Sequence, residues 1–115
     1  MDKPFGACVP GAEKFVTCLA AATELADHSV EDTERAVLAS LSGRPGVNPL
    51  IADSASRSLH AAGDAWRVLR DRECAELPLI ESGLEGSLYE RRLRCRLRRD
   101  IDRAEFLRDR YGPQG

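Results

Sequence analysis

The sequence has few aromatic residues, almost no lysine and little net charge, and these shortages exclude several classes of protein. Aromatic residues make up 5% of the 115 positions, and 17 basic residues face 19 acidic ones. A protein that binds nucleic acid through bulk charge is strongly basic, so we expect no nucleic-acid partner. No apolar run approaches the ~20 residues that cross a bilayer, so we expect no transmembrane segment.

Ala, Leu, Glu and Arg dominate the residues that are present. Of the 17 basic residues, 15 are arginine. These residue types favour helices, and strand-forming residues are sparse. The length is that of one domain with a modest core. The composition therefore predicts a single all-α domain over residues 1–115.

Glycine and proline divide the chain into an irregular arm and three long helices. The breakers near the N-terminus predict an arm over residues 1–11. Apolar residues that recur every three or four positions predict helices at about 12–42, 49–77 and 87–111. The first helix is either continuous or split in two near His28. Short loops between antiparallel neighbours then predict a compact three-helix bundle.

The second helix has the clearest boundaries. Asn48 is a good N-cap and Pro49 suits the first helical position. Pro78 is expected to end the helix because it lacks the N–H that the next turn needs. The residues expected to face the other helices follow a spacing of four and three: Ala55, Leu59, Ala62, Trp66 and Leu69.

Four cysteines, Cys8, Cys18, Cys74 and Cys95, are expected to form two disulfides. They form no Cys-x-x-Cys pair and have no histidine cluster beside them, so no metal site is expected. An even count in a chain this small is typical of an oxidising compartment, and four reduced cysteines are the alternative. No signal peptide is visible at the N-terminus, so a leader was either removed or never present.

The second and third helices predict one of these pairings. In an antiparallel hairpin, residues equidistant from the loop lie at the same height. Cys74 and Cys95 are centred on the point between Leu84 and Glu85, so they should face each other. Four cysteines allow three connectivities. We favour Cys8–Cys18, formed by the arm folding back, together with Cys74–Cys95.

No set of catalytic residues can be assembled from the sequence, so we expect neither an enzyme nor a cofactor. A nucleophile beside a histidine base is missing, and the carboxylates of the first helix, Glu24 to Glu34, are expected to be solvated. The segment Arg91–Arg99 has six arginines in nine residues. These arginines either form salt bridges within the protein or bind a polyanion. The acidic residues interleaved with them favour salt bridges.

Seven residues match a pattern that reads Trp-x-x-aromatic-Arg-Asp-x-x-Cys, followed by a further cysteine and an Arg-x-x-x-Leu: Trp66, Arg70, Asp71, Cys74, Cys95, Arg103 and Leu107. With this pattern the chain resembles the LprI-type lysozyme-inhibitor family, which consists of small secreted or lipid-anchored bacterial helical domains. Several positions depart from the family pattern. Leu69 replaces an aromatic residue, Glu85 a Gly, Gly63 a frequent Gln and Asp100 a frequent Thr, and the first helix has Val30, Glu31 and Glu34 in place of Leu, Asn and Tyr.

The resemblance implies structural roles for most of this signature. Trp66 would be the central core residue of the hairpin, and the two cysteines would crosslink its helices. Arg70 and Asp71 would pair with charges on a neighbouring helix. The signature therefore identifies a scaffold rather than a binding site.

The resemblance also implies a function, which is binding and inhibition of a lysozyme or another peptidoglycan-cleaving enzyme. The location would be periplasmic or secreted, with a lipid anchor on the precursor as an open alternative. An acidic loop with apolar residues suits the cleft of a cationic enzyme. The residues expected to make this contact are Ile80, Glu81, Leu84 and Glu85.

Two other functions are compatible with the sequence. The protein could be an immunity protein that neutralises a bacterial toxin acting in the periplasm. It could instead be a structural module of the envelope that binds another protein through the arginine-rich helix. The oligomeric state is left open.

Overall fold

All of the regular secondary structure that we observe is α-helical. The structure is a computed structural model that describes residues 8, 14–81 and 86–112. These residues contain no strand, which agrees with the predicted all-α class. The predicted arm over residues 1–11 lies outside the described residues except for Cys8.

The first helix, α1, runs from Phe15 to Ser42. It is continuous across His28, so the alternative of two helices is wrong. A short connection over residues 43–48 then leads to the next helix. Within it, Gly46 has a φ of 82°, a conformation that glycine adopts without steric cost.

The second helix, α2 (Pro49–Ile80), begins as expected, but its end does not follow the prediction. The Asn48 side chain accepts a hydrogen bond of 2.7 Å from the N–H of Leu50. At the other end, Pro78 lies inside the helix, which continues to Ile80. The Arg91 guanidinium donates to the Pro78 carbonyl at 3.1 Å and so satisfies a backbone acceptor at this helix end. The extra turn is therefore supported from the neighbouring helix.

The third helix, α3 (Leu88–Tyr111), has a well-formed N-terminus. The Ser87 hydroxyl accepts a hydrogen bond of 3.1 Å from the N–H of Glu90, as expected for a capping residue. Gly86, with a φ of 92°, makes the turn that leads into the cap. At the C-terminus the N–H of Gly112 donates to the Arg108 carbonyl at 3.0 Å.

The three helices run up, down and up, so consecutive helices are antiparallel while α1 and α3 run in the same direction. Contacts such as Arg96 to Asp27 and Arg44 to the Tyr111 carbonyl set this parallel register of α1 and α3. The bundle measures 52 × 32 × 18 Å. The compact three-helix bundle predicted from the sequence is therefore confirmed.

The centre of the core lies between α1 and α3. Small residues of α1, Ala22 and Ala26, allow the two helices to approach closely, and Leu19 and Leu97 fill the remaining space. The Cys8–Cys18 disulfide, with Cα atoms 5.6 Å apart, ties Cys8 to this core. One of the two predicted pairings is thus present.

The hairpin of α2 and α3 has the register that the sequence predicts. Cys74 and Cys95 form a disulfide, with Cα atoms 5.4 Å apart. Trp66 lies beside Arg103. This pair is centred on the same point of the chain as the two cysteines, between positions 84 and 85. The second predicted pairing is therefore present as well.

The buried face of α2 differs from the predicted one. Leu69 is 54% exposed, and Ala62 is exposed as well. Gly63, Arg70 and Cys74 are buried instead, so the face shifts by one residue after Leu59. The shift has an electrostatic reason, because it carries the Arg70 guanidinium to acidic residues on both neighbouring helices.

Candidate functional site

A buried arginine, Arg70, connects all three helices. Its Nη1 atom lies 2.8 Å from Asp100 Oδ1 on α3 and 3.3 Å from Asp27 Oδ1 on α1. Its Nε atom lies 2.9 Å from Asp71 Oδ1 on α2 itself. The predicted pairing of Arg70 with a neighbouring helix thus corresponds to contacts with two of them.

A second guanidinium completes this arrangement, which we name the Arg70 cluster. Arg96 Nη2 lies 2.6 Å from Asp27 Oδ2, so Asp27 is held by one arginine from α2 and one from α3. The cluster contains three carboxyl groups and two guanidinium groups. One proton on a carboxyl would therefore balance its charge. Its members are Asp27, Arg70, Asp71, Arg96 and Asp100.

Asp100 is the carboxyl that holds this proton most readily. It is 1% exposed, and among the described residues no donor reaches its Oδ2 atom. Burial and, after it, a hydrogen bond with Asp27 raise the pKa of Asp100 while Arg70 lowers it, and the net result is a pKa raised to about 7. A protonated Oδ2 can donate to Asp27, which accounts for an oxygen that otherwise lacks a partner.

Arg70 remains charged throughout the physiological range. Burial alone would lower the pKa of Arg70, but its hydrogen bonds to Asp100 and Asp71 outweigh burial and raise that pKa. The fixed positive charge therefore keeps the acids together while Asp100 titrates. The described residues contain no group of three or more His, Cys, Asp or Glu placed to hold a metal ion.

The aromatic residue of the signature lies directly above this cluster. The Trp66 ring has the Arg70 guanidinium 5.0 Å from its centroid and the Arg103 guanidinium 5.6 Å away. Both distances allow cation–π attraction. Trp66 is half-buried, so it is a platform for two arginines rather than the fully buried anchor that we expected.

The remaining signature residues continue this pattern. Arg103 also lies over Phe106, at 5.7 Å, and Leu107 is fully buried in the core. Asp71 is exposed, although its carboxylate touches Arg70. The structure thus brings Trp66, Arg70, Asp71 and Arg103 together in one place and assigns Leu107 to packing.

The sequence does not predict Asp27 and Asp100 as the partners of Arg70, although it carries a signal for Asp100. Asp100 lies three residues after Leu97 and four before Ala104, so it occupies a core position of α3. Glu34 occupies the equivalent kind of position between Val30 and Val37. It is buried, so the expectation that it is solvated is wrong.

Glu34 has a specific partner on α2. Its carboxylate accepts a hydrogen bond from Arg67, and it lies against the backbone at Gly63. A Cβ atom at position 63 would overlap the Glu34 carboxylate. The departure from the family pattern at Gly63 therefore makes room for a partly buried ion pair between α1 and α2.

The arginine-rich segment of α3 contributes to the fold as well as to the surface. Two of its arginines donate to backbone carbonyls of α2, and the others lie near carboxylates on the three helices. This matches the predicted intramolecular pairing of the segment. The contacts are Arg91 to the Pro78 carbonyl, Arg92 to the Ala75 carbonyl, Arg94 to Glu90, Arg96 to Asp27, Arg98 to Asp102 and Arg99 to Glu73.

Of the four residues expected to contact a partner, Ile80 and Glu81 lie at the C-terminal end of α2. Ile80 is 78% exposed, and Glu81, which follows the helix, is exposed too. Leu84 and Glu85 lie outside the described residues. We use the name hairpin tip for Leu79, Ile80 and Glu81. Ten residues separate Arg70 from Ile80, or about 15 Å along α2, so the tip and the Arg70 cluster are distinct features.

Comparison with known proteins defines the class of this bundle. The family model described as "Lysozyme inhibitor LprI" matches residues 9–107. The chain therefore belongs to the LprI lysozyme-inhibitor family. No curated protein and no solved structure matches it significantly. Within residues 14–81 and 86–112, none of the helices is both long and apolar enough to cross a membrane.

Proposed function

We propose that this protein binds a lysozyme or a related peptidoglycan-cleaving enzyme and blocks it without performing any chemistry of its own. The match to the lysozyme-inhibitor family over residues 9–107 carries this proposal. The Arg70 cluster is consistent with it, because Arg70 and Asp100 at its centre are buried and its opposite charges pair with one another. Such a cluster suits a scaffold that presents a surface elsewhere.

The hairpin tip is the surface that we assign to the enzyme. Leu79 and Ile80 are neighbours and are both largely exposed, so together they offer apolar surface for the buried centre of an interface. Glu81 adds a negative charge beside them. An apolar anchor with an acidic rim complements the cleft of a cationic enzyme.

The tip is held in place before any partner arrives. The Cys74–Cys95 disulfide joins α2 to α3 shortly before the tip. The bond from Arg91 to the Pro78 carbonyl fixes the last turn of α2. A surface that is already ordered loses less entropy on binding, which favours tight inhibition by simple occlusion.

We further propose a periplasmic or secreted location. Both disulfides support it, because such bonds persist in oxidising compartments and are rare in the cytosol. Reduction should release the hairpin and weaken inhibition.

Inhibition is tested by following the lysis of a peptidoglycan suspension by a c-type lysozyme at rising ratios of the disulfide-bonded protein. We expect saturation near one-to-one. A folded protein, verified by circular dichroism, that has no effect at large excess would contradict the proposed function. Another protein partner, such as a secreted toxin, would then be the preferred hypothesis.

The position of the contact is tested with two matched variants of α2. Ile80 and Ile51 are both strongly exposed, at 78% and 62%, and lie at opposite ends of the same helix. We expect Ile80→Glu to weaken inhibition at least tenfold, because an interface anchor contributes on the order of 2 kcal/mol. Ile51→Glu should stay within twofold of the wild type. Equal effects would eliminate the tip as the contact while leaving the inhibitory function intact.

A further inference from the structure

A groove beside the hairpin tip concentrates positive charge on a protein whose net charge is −2. It has a volume of about 350 Å³ and lies between the end of α2 and one face of α3. Four arginines line it, namely Arg91, Arg94, Arg98 and Arg99. Pro78 and the disulfide-bonded Cys95 form its apolar part, and Glu81 is the one acidic residue among the described residues that line it. We name it the arginine groove.

The acids that pair with these arginines do not line the groove. Arg98 lies 3.1 Å from Asp102, and Arg99 lies 3.2 Å from Glu73. Neither carboxylate belongs to the groove lining. A guanidinium has five N–H donors in a planar fork, so one such contact leaves further donors for a second anion. Arg98 and Arg99 therefore keep guanidinium donors that these two ion pairs do not use.

Contacts within the fold also position these side chains. Arg91 is held by the Pro78 carbonyl and Arg99 by Glu73, both on α2. The disulfide at Cys95 fixes α3 against α2 at the same height. Arginine side chains that are already held in place lose less conformational entropy when they bind an anion than unconstrained arginines on a helix surface do.

The spacing of the arginines limits the kind of ligand. Arg91 and Arg98 are seven residues apart on one helix, which places them about 10 Å apart along its axis. This separation favours a molecule with several phosphate or carboxylate groups over a single phosphate. The volume is at the lower end of the range for ligand sites, which suits a small ligand or one segment of a longer one.

We propose that the arginine groove binds a polyanion with several phosphate or carboxylate groups spread over about 10 Å. The groove shares Glu81 with the hairpin tip, but the assay below contains no lysozyme and measures only binding of the anion. The two proposals can therefore fail independently.

Binding is tested by titrating ¹⁵N-labelled, disulfide-bonded protein with tripolyphosphate and following the backbone and arginine Nε–H signals. We expect saturable changes in chemical shift, with the largest changes at residues 91–99. Orthophosphate at equal ionic strength should bind at least tenfold more weakly, since it reaches fewer guanidinium groups. The absence of saturable shifts, or equal binding of both ions, would overturn the proposal.

The chain offers a closely matched pair of variants. Arg98 in the groove is 71% exposed and pairs with Asp102 four residues later. Arg57 on α2 is 72% exposed and pairs with Asp53 four residues earlier. We expect Arg98→Gln to weaken tripolyphosphate binding about tenfold, because it removes charge-assisted hydrogen bonds. Arg57→Gln should leave binding unchanged. An equal loss in both variants would indicate nonspecific attraction and contradict a built site.

Discussion

The proton on Asp100 makes the stability of the protein depend on pH in an unusual direction. An unfolded aspartate has a pKa of about 3.9, whereas burial raises the pKa of folded Asp100 to about 7. The folded state therefore binds this proton more tightly than the unfolded state does. Its stabilising contribution is complete below about pH 4 and is lost as the pH rises through about 7.

The magnitude follows from the same two pKa values. Between pH 5.5 and pH 8.5, linkage predicts that this one group lowers the free energy of unfolding by about 2 kcal/mol. Asp100→Asn should abolish the effect, because the neutral amide imitates the protonated carboxyl. Its oxygen can accept from Arg70 and its nitrogen can donate to Asp27, the two partners of Asp100 in the folded state.

Urea unfolding of the disulfide-bonded protein at the two pH values measures this difference. We expect the wild type to lose about 2 kcal/mol more than Asp100→Asn over this interval. Asp102→Asn is the control, because Asp102 is an exposed carboxylate two residues away and should retain the pH dependence of the wild type. If the wild type and Asp100→Asn changed in parallel with pH, the reasoning about a buried proton would be refuted.

Two further changes test how the helices are joined. Replacing Cys74 and Cys95 together by serine should lower the free energy of unfolding by about 3 kcal/mol in urea titrations, because the bond closes a loop of 21 residues; an unchanged midpoint would contradict the role of this bond. Gly63→Ala should be destabilising because its Cβ displaces the Glu34 carboxylate from α2. In a Glu34→Ala background the same change should become stabilising by up to about 1 kcal/mol, the gain in helix propensity. The same sign in both backgrounds would disprove the contact.

The helical architecture and the hairpin register could be predicted from local rules. Capping residues, glycine, proline and apolar spacing mark the three helices. Symmetry about the α2–α3 loop pairs Cys74 with Cys95. These signals are local in sequence or follow from one short connection, so they do not depend on knowing how the helices pack.

The acids that reach Arg70 from the neighbouring helices could not be predicted in the same way. Asp27 and Asp100 are 73 positions apart, and the spacing that places Asp100 at a core position of α3 does not identify its partner. Both acids become favourable near the core only because Arg70 reaches them from α2. The shifted buried face of α2 has the same origin. The spacing of apolar residues predicts that Leu69 is buried, whereas the ion pairs of the cluster require Arg70 to be buried instead.

The two disulfides lie on different segments of the chain, and this division has a consequence for proteolysis. Cys8–Cys18 closes a loop at the start of α1, and Cys74–Cys95 closes the hairpin of α2 and α3. The backbone of residues 43–48 is therefore the one covalent link between the part containing α1 and the part containing α2 and α3. A single cut there would leave two fragments associated only through the apolar core, the Arg70 cluster and the other interhelical contacts. In an environment rich in proteases, the lifetime of the protein would then depend on the protection of this six-residue connection rather than on the strength of the disulfides.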